Sequence, residues 1–562
     1  MDKTQKVEMD DSTATPEKAA IQHVAEVVEE SDHHSVKHWS KSSRYMVLAG
    51  AYLMLMVVSL QSTVAMSLVP YVTSDFAAHS LIPLTNLLAF VVSGVIQLPL
   101  SRVVNLFGHL NALLLMVFVE TLGHILMATC QNVEWYAAAF VLFEAAFGGL
   151  LYLLRVLVVD CVHTEHRAIA YGLTTFPYLV TPFAGPPMAA SYLNHSSWQW
   201  AFGTFAILVP AAGAILSALL LWGQKTAPKT QVTKTSKSLR QHLIDFDVVG
   251  MILACIGIGM LLVSITVATA RLLRWSSTAF IAMLIVSVIV LIVLVCYEKL
   301  LAPKPFVTLS ILRDRSAWGA TLCVAGEYLS YGIWHAYLAS YLQVVFYESI
   351  SDAGYINNAY YIGWGCISGL AGLLINYIGR FKAATAGGVS LMILSTGLMI
   401  YCSRPDQSVG GIIACQVLFA ISAGVITVSM MMAVLNKAKP NEIAMRMALF
   451  YMISMLCSAL GSTISTAIWR NALPAALHKF LPEDLKADAG RIAGSIVVQM
   501  SYKMGSPGRE AIILAFAEAW EYLMIGGTAA LGLSVVGVFV MKEGAAPTSE
   551  PLESVEKEAK SV

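Results

Sequence analysis

Between residues 46 and 541 the chain alternates long apolar stretches with short polar ones, about fourteen times. The stretches fall at roughly 46–72, 81–101, 110–130, 136–160, 168–192, 199–222, 247–270, 277–297, 317–345, 354–377, 383–402, 408–435, 446–470 and 513–541. Each is close to the roughly 20 apolar residues that a helix needs to cross a bilayer. Lipid offers backbone amides no partner, so every stretch must satisfy its own hydrogen bonds. The pattern predicts an all-α protein that crosses a membrane about fourteen times. These stretches are segments 1 to 14 below.

A polar, lysine-rich interval at 223–246 leaves six segments before it and eight after it. The division predicts a six-helix bundle over 45–222, two inserted helices over 247–297 and a second six-helix bundle over 298–541. Paired six-helix halves related by an axis along the membrane normal are a common way to build a transporter. The tails 1–44 and 542–562 are polar and read as disordered. Residues 1–44 hold no apolar core of a cleavable signal.

Loop charge sets the orientation. With the first residue in the cytoplasm, the short cytoplasmic loops carry sixteen Lys and Arg and the opposite short loops three, Arg271, Arg274 and Arg404. Positive charge stays inside, so both termini are expected in the cytoplasm and the long segment 471–509 outside. The plasma membrane is the expected site, with an endosomal or vesicle membrane as the alternative.

Composition changes the picture by exclusion. Charged residues are 12% of the chain and the net charge is zero, so nucleic acid is not an expected partner. Nine scattered cysteines form no CxxC pair and read as small buried hydrophobes. No GxxxxGK[ST] loop is present, so ATP is not the expected energy source. No HExxH motif or paired-carboxylate helix suggests catalysis. His33, His34 and His38 are a weak metal signal in a polar tail. Neither a metal site nor a cofactor is expected, nor is the chain expected to be an enzyme.

Ionisable groups at membrane depth are costly and are the first functional candidates. Segment 9 is the richest in them. Glu327, Tyr331, Trp334, Leu338 and Tyr341 follow helical spacing along one face. A carboxyl, two phenols and an indole in one stripe suit an amphipathic organic ligand. Glu327 reads as a proton-exchanging group or as a structural acid paired with a neighbouring helix. His335 is a second proton candidate, since imidazole exchanges protons near neutral pH. On segment 10, Asn357, Tyr361 and Trp364 share a face and can donate to and accept from an amide-like ligand. Gly365, Gly369 and Gly372 read as a close-packing face.

In the first half, Glu144 and Arg155 lie eleven residues apart on segment 4. They share a face about 16 Å apart, too far for a direct pair. Glu120 and His124 on segment 3 stand at i and i+4 and read as a buried structural pair, with a proton pair as the alternative. Pro182, Gly185, Pro186 and Pro187 predict a bend in segment 5. Ser454, Ser458, Gly461, Ser462 and Ser465 form a small-residue packing stripe on segment 13.

Three blocks of sequence carry a resemblance. PFVTLSILRDRSAWGATLC at 305–323 runs on through WHAYLASYLQVVFYES at 334–349 and AGYINNAYYIG at 353–363. HSL at 79–81, MATCQNVEWYAA at 127–138 and SSWQWAFGTFAILVP at 196–210 form the second block. ALGSTISTAIWRNALPAAL at 459–477 with SYKMGSPGRE at 501–510 forms the third. In these the chain resembles the major facilitator superfamily, and within it the fungal siderophore–iron transporters. The resemblance implies fourteen helices, a long final outer loop, and uptake of ferric hydroxamate chelates together with protons. It also implies a proton-coupling role for Arg155 and gate or anchor roles for Asp160, Arg167 and Arg102. Tyr502 in the outer loop would help the chelate pass.

The chain departs from that family's pattern in four places. Asn105 stands where an acid is usual and His109 where an arginine is usual. Gln61 on segment 1, a further candidate substrate contact, stands where relatives often carry an acid, and His335 replaces another. Three activities follow: proton-coupled import of a ferric siderophore, proton-driven export of a drug, peptide or secondary metabolite, or sensing without transport. The partners are the siderophore or another amphipathic small molecule, protons and the lipid bilayer, with the chain acting as a monomer.

Overall fold

The structure is a computed structural model. It describes residues 39–75, 82–226, 246–269, 276–302, 313–436 and 442–542, with residues 274, 438 and 439 between them. Most of both tails, most of the 223–246 linker, His33, His34, His38, the HSL block and residues 305–312 lie outside the described residues.

Among the described residues the regular structure is entirely helical. The first half holds α1 (Lys41–Asp75), α2 (Ile82–Val95), α3 (Gln97–Ala128), α4 (Val133–Cys161), α5 (Arg167–Leu173), α6 (Pro177–His195) and α7 (Trp198–Thr226). Next come α8 (Val248–Thr269) and α9 (Thr278–Leu300). The second half holds α10 (Arg315–Val345), α11 (Ile350–Ile378), α12 (Phe381–Cys402), α13 (Val409–Leu435) and α14 (Ile443–Phe480). It ends with the short α15 (Ala489–Gly494) and α16 (Ile496–Ser501), then α17 (Pro507–Ala530) and α18 (Gly532–Val540). Among the described residues eleven helical stretches are long and apolar enough to cross a membrane. This is a multi-pass membrane protein.

Local chemistry sets the helix ends. Asn132 caps α4 by accepting from Trp135 N at 2.7 Å, and Ser277 caps α9 by accepting from Phe280 N. Asp314 caps α10 on two amides, and Ser349 caps α11. Such caps satisfy amide groups that a first turn leaves without a helical partner. Gly379 ends α11 in the left-handed region at φ 71°.

Four boundaries differ from the sequence pattern. Segments 2 and 3 meet at Gly108, whose φ of 79° breaks the rod inside α3. Segment 5 splits into α5 and α6 because Pro177 cannot donate, and residues 174–176 close tight i→i−3 turns instead. Segment 13 runs ten residues further, to Phe480, because Leu473, Ala476 and Leu477 are buried. Segment 14 is interrupted at Leu531 between α17 and α18.

Helices α1–α7 pack among themselves, as do α10–α18. The two groups meet where α2 and α3 cross α14, and where α5 and α6 run along α11. The second seam needs glycine. A Cβ on Gly372 would lie 2.5 Å from Ala168 O, so backbone meets backbone there. Gly365 is similarly tight against Thr175 O, whereas at Gly369 the nearest atom is 3.5 Å away. The pair α8 and α9 packs against α2 and α14. Only 17% of the most apolar window of α9 is buried inside the protein. Its exposed Ile285, Ile289 and Ile292 require lipid around them. Of the nine cysteines, Cys296 and Cys366 are exposed, which corrects their reading as buried hydrophobes; both lie on helices, where lipid can cover them.

Candidate functional site: an aromatic seam between the bundles

The predicted stripe on α10 is buried at Glu327, Trp334, Leu338 and Tyr341 and half-buried at Tyr331. Glu327 is 3% exposed and Trp334 fully buried. Tyr331 stacks on His335 with ring centroids 4.3 Å apart and lies 4.9 Å from the Tyr360 ring. Its hydroxyl donates to Tyr361 Oη at 3.1 Å, joining α10 to α11. Phe419 of α13 meets Trp334 edge-on at 5.2 Å. Trp364 is fixed by an indole N–H bond to Thr427 Oγ1 at 2.9 Å. Tyr178 enters from α6 of the first bundle, 6.1 Å from Tyr361 and 5.5 Å from Trp364. An aromatic wall therefore crosses from one bundle to the other.

That wall carries polar atoms with no partner. Glu327 Oε2, Ser330 Oγ, Trp334 Nε1, His335 Nε2 and Asn357 Oδ1 are all buried and make no hydrogen bond. An unsatisfied buried polar group costs about 1–3 kcal/mol. The set holds both donors and acceptors next to ring faces, which is the chemistry of a site for an amphipathic ligand.

The end of the protein that carries His109, Asp160 and Arg167 is closed by a second group of contacts. Tyr171 of α5 and Tyr451 of α14 share a hydroxyl–hydroxyl bond between the bundles. Arg155 is buried with its guanidinium carbon 5.1 Å from the centre of the Tyr451 ring. Tyr152 donates to Ala444 O at 2.7 Å, again across the halves. His109 Nε2 lies 3.2 Å from Asp160 Oδ2, and Arg167 is within electrostatic reach of the same carboxylate. His109, expected to stand where the family carries an arginine, thus faces an acid. In the second half Arg446 bonds Asp314 at 2.7 Å and Glu442 at 3.1 Å.

Several predicted residues lie elsewhere. Tyr341 is buried against Trp520 of α17, centroids 4.5 Å apart, and its hydroxyl donates to Ser403 O. It is a packing group within the second half. Gln61 is fully buried inside the first bundle and bonds Glu120. Tyr502, just past α16, packs against Gly508 at the start of α17. Arg102 stands on α3 six residues before the Gly108 break, and Glu144 is in electrostatic reach of Tyr178. Tyr178, Tyr360, Phe419, Tyr171 and Tyr451 escaped the sequence reading. Tyr360 adjoins a predicted residue, but the others come from distant segments that only packing brings together.

Two helical bundles that meet on an aromatic seam with unmatched polar groups have the build of a membrane transporter. The sequence profile of the Major Facilitator Superfamily matches residues 51–462. The chain is 34% identical over 513 residues to MFS siderochrome iron transporter 1 of Ajellomyces capsulatus, covering 90% of this chain and 87% of that protein. MFS siderochrome iron transporter D of Aspergillus fumigatus is also 34% identical, with 90% and 86% covered. Among solved structures, the human organic anion transporter MFSD10 has a similar fold at a TM-score of 0.55 and 13% identity, covering 89% of this chain and 99% of that one. A bacterial homologue of the human lysosomal transporter Spinster follows at 0.53 and 12% identity, covering 89% and 98%. The chain belongs to the major facilitator superfamily and, within it, to the siderophore–iron transporters.

Proposed function

We propose that the protein imports ferric siderophores of the hydroxamate type with protons, by alternating access of the aromatic seam to the two sides of the membrane. The observation that carries this reading is the set of unpartnered buried atoms around Glu327, Trp334, His335 and Asn357 on α10 and α11. A ferric hydroxamate arrives with its iron already enclosed by oxygen ligands. Its outer surface offers carbonyl oxygens, amides and apolar arms. Indole and imidazole N–H groups suit the oxygens, Asn357 suits an amide, and Tyr331, Tyr360 and Phe419 supply ring faces. The iron is cargo, so the reading needs no protein ligand to the metal. The names of the fungal relatives support the substrate class.

In this reading the chain spans the membrane fourteen times with both termini in the cytoplasm. Counting the apolar stretch Leu88–Ala128, which joins α2 and α3, as two spans divided at Gly108, and adding α5–α6 and α10 to the eleven, supports that number. The contacts among Tyr171, Tyr451, Ala168 and Gly372 then close the cytoplasmic side. Glu327 and His335 exchange the proton in the second half, and Glu144 and Arg155 in the first. Asp160, Arg167 and Arg102 hold the cytoplasmic gate. The protein works as a monomer in the plasma membrane.

The test is uptake of radioactive iron from a panel of ferric hydroxamates, in yeast lacking its own siderophore transporters, with and without a protonophore. Protonophore-sensitive uptake of one chelate is expected. No uptake of any chelate by protein located at the cell surface overturns the importer, and export of a metabolite becomes the leading reading.

A further inference from the structure

Gln61 of α1 and Glu120 of α3 are both fully buried. The Gln61 amide Nε2 donates to Glu120 Oε1. The Gln61 amide oxygen Oε1 and the second carboxyl oxygen, Glu120 Oε2, have no partner. If Glu120 is ionised, both are acceptors and neither serves the other. One proton on Glu120 Oε2 removes the conflict. The acid then donates to Gln61 Oε1, and the two side chains close a ring of two hydrogen bonds. Turning the amide over does not remove the need for the proton, because the amide oxygen would then face Glu120 Oε1.

The surroundings favour the neutral form. His124, on the same helix, spends Nδ1 on Glu120 O at 2.9 Å. Its ring is held edge-on to Phe143 of α4 at 5.0 Å and near Phe205 of α7 at 6.1 Å. The titratable group facing Glu120 from α4 is Glu144, a like charge within electrostatic reach. Two carboxylates buried together are disfavoured, so the pair is cheapest with a proton on one of them. Glu144 also reaches Tyr178, which stacks on Tyr361 across the seam.

We propose that Glu120 and Gln61 form a proton-binding site of the transport cycle inside the first bundle, with Glu144 linking it to the aromatic seam. The resting protein carries the proton on Glu120. In the cycle the O–H bond at Glu120 Oε2 breaks and one forms on a carboxylate oxygen of Glu144, so the negative charge moves from Glu144 to Glu120. The role in the cycle rests on the proton-coupled reading above; the protonated state does not.

The experiment uses the purified full chain in lipid nanodiscs. Infrared spectra of the wild type, Glu120→Gln and Glu327→Gln are recorded in H2O and D2O. A carboxylic acid carbonyl band that shifts in D2O is expected in the wild type and in Glu327→Gln, and its loss in Glu120→Gln. Two amides pair in the same ring, so Glu120→Gln retains the fold. Should it fail to fold, Gln61→Met serves, since losing the ring partner moves the band to higher wavenumber. A band unchanged by these substitutions, or none in the wild type, overturns the protonated site. In vesicles, Glu120→Gln is expected to keep substrate exchange and lose proton-driven accumulation. Accumulation at the wild-type level overturns the role in the cycle. If the wild type moves no siderophore, the function proposed above fails while the infrared result still stands or falls alone.

Discussion

Replacing Gly372 by alanine asks how tightly the two bundles must close along α11. An added Cβ would sit 2.5 Å from Ala168 O and 2.9 Å from Ile169 Cα, both backbone atoms that cannot rotate away. An ordinary carbon–oxygen approach is about 3.3–3.6 Å, so the overlap is roughly 0.8 Å. Overpacking of this kind costs about 1–3 kcal/mol. At about 2 kcal/mol the closed form loses roughly thirty-fold against any form in which α5 has moved off α11. A closed state favoured about 99 to 1 would fall to about 3 to 1. Spin labels on His166→Cys and Tyr377→Cys, both exposed, report the separation of that end once Cys296 and Cys366 are replaced. A second, longer distance holding about a quarter of the molecules is expected in Gly372→Ala. Gly387→Ala is the control, because its Cβ meets nothing within 4 Å. One unchanged distance in folded Gly372→Ala would refute the idea that the closed end depends on backbone contact at this glycine.

Three further outcomes follow from the site. Glu327→Gln keeps the shape of the seam and removes an exchangeable proton, so protonophore-sensitive uptake should vanish while binding of the chelate, followed by quenching of tryptophan fluorescence, persists. Arg155→Lys keeps the charge and loses the flat cation over Tyr451. At about 0.5–2 kcal/mol for that contact, transport rate measured per folded molecule should fall by roughly 2- to 30-fold. Tyr341→Phe removes the bond to Ser403 O from a buried packing group. The cost is about 1–3 kcal/mol, so the melting temperature drops while the apparent affinity for the chelate stays at the wild-type value.

The sequence read most clearly where lipid is the solvent. The apolar α7 and α9 stand close to where hydropathy placed segments 6 and 8, since a lipid-facing helix is apolar along most of its length. The pattern blurred where a helix faces protein. The spans without an apolar stretch of their own are α5–α6, rich in proline, and α10, which carries Glu327, Tyr331, Trp334 and His335. Segment boundaries failed at Pro177 and Leu473 because a missing donor and a buried face set them, whereas the backbone twist at Gly108 falls inside the interval expected between segments 2 and 3. Helical spacing along α10 was readable through Leu338. It overran at Tyr341, because α17 packs against that end of the helix and no periodicity within α10 reveals a neighbour 179 positions on, Trp520.

The departures from the family pattern look different once the helices are packed. In sequence, Gln61 reads as the loss of an acid from segment 1. In the fold its amide reaches the carboxyl of Glu120, so a buried acid stands against that position from α3. His109 reads as the loss of an arginine, yet its ring faces Asp160 at 3.2 Å. In both places the departing side chain meets an acid on another helix. A carrier tolerates such exchange because its helices move against each other as units. What matters is which groups meet in each state, not which helix contributes them. Under the proposal for Glu120, a proton on the acid–amide pair leaves the first bundle one buried carboxylate to carry, at Glu144, in place of two. On the reading proposed above, the acid–amide pair holds a proton in the first half, while the second half, with Glu327 and His335, serves both ligand and proton.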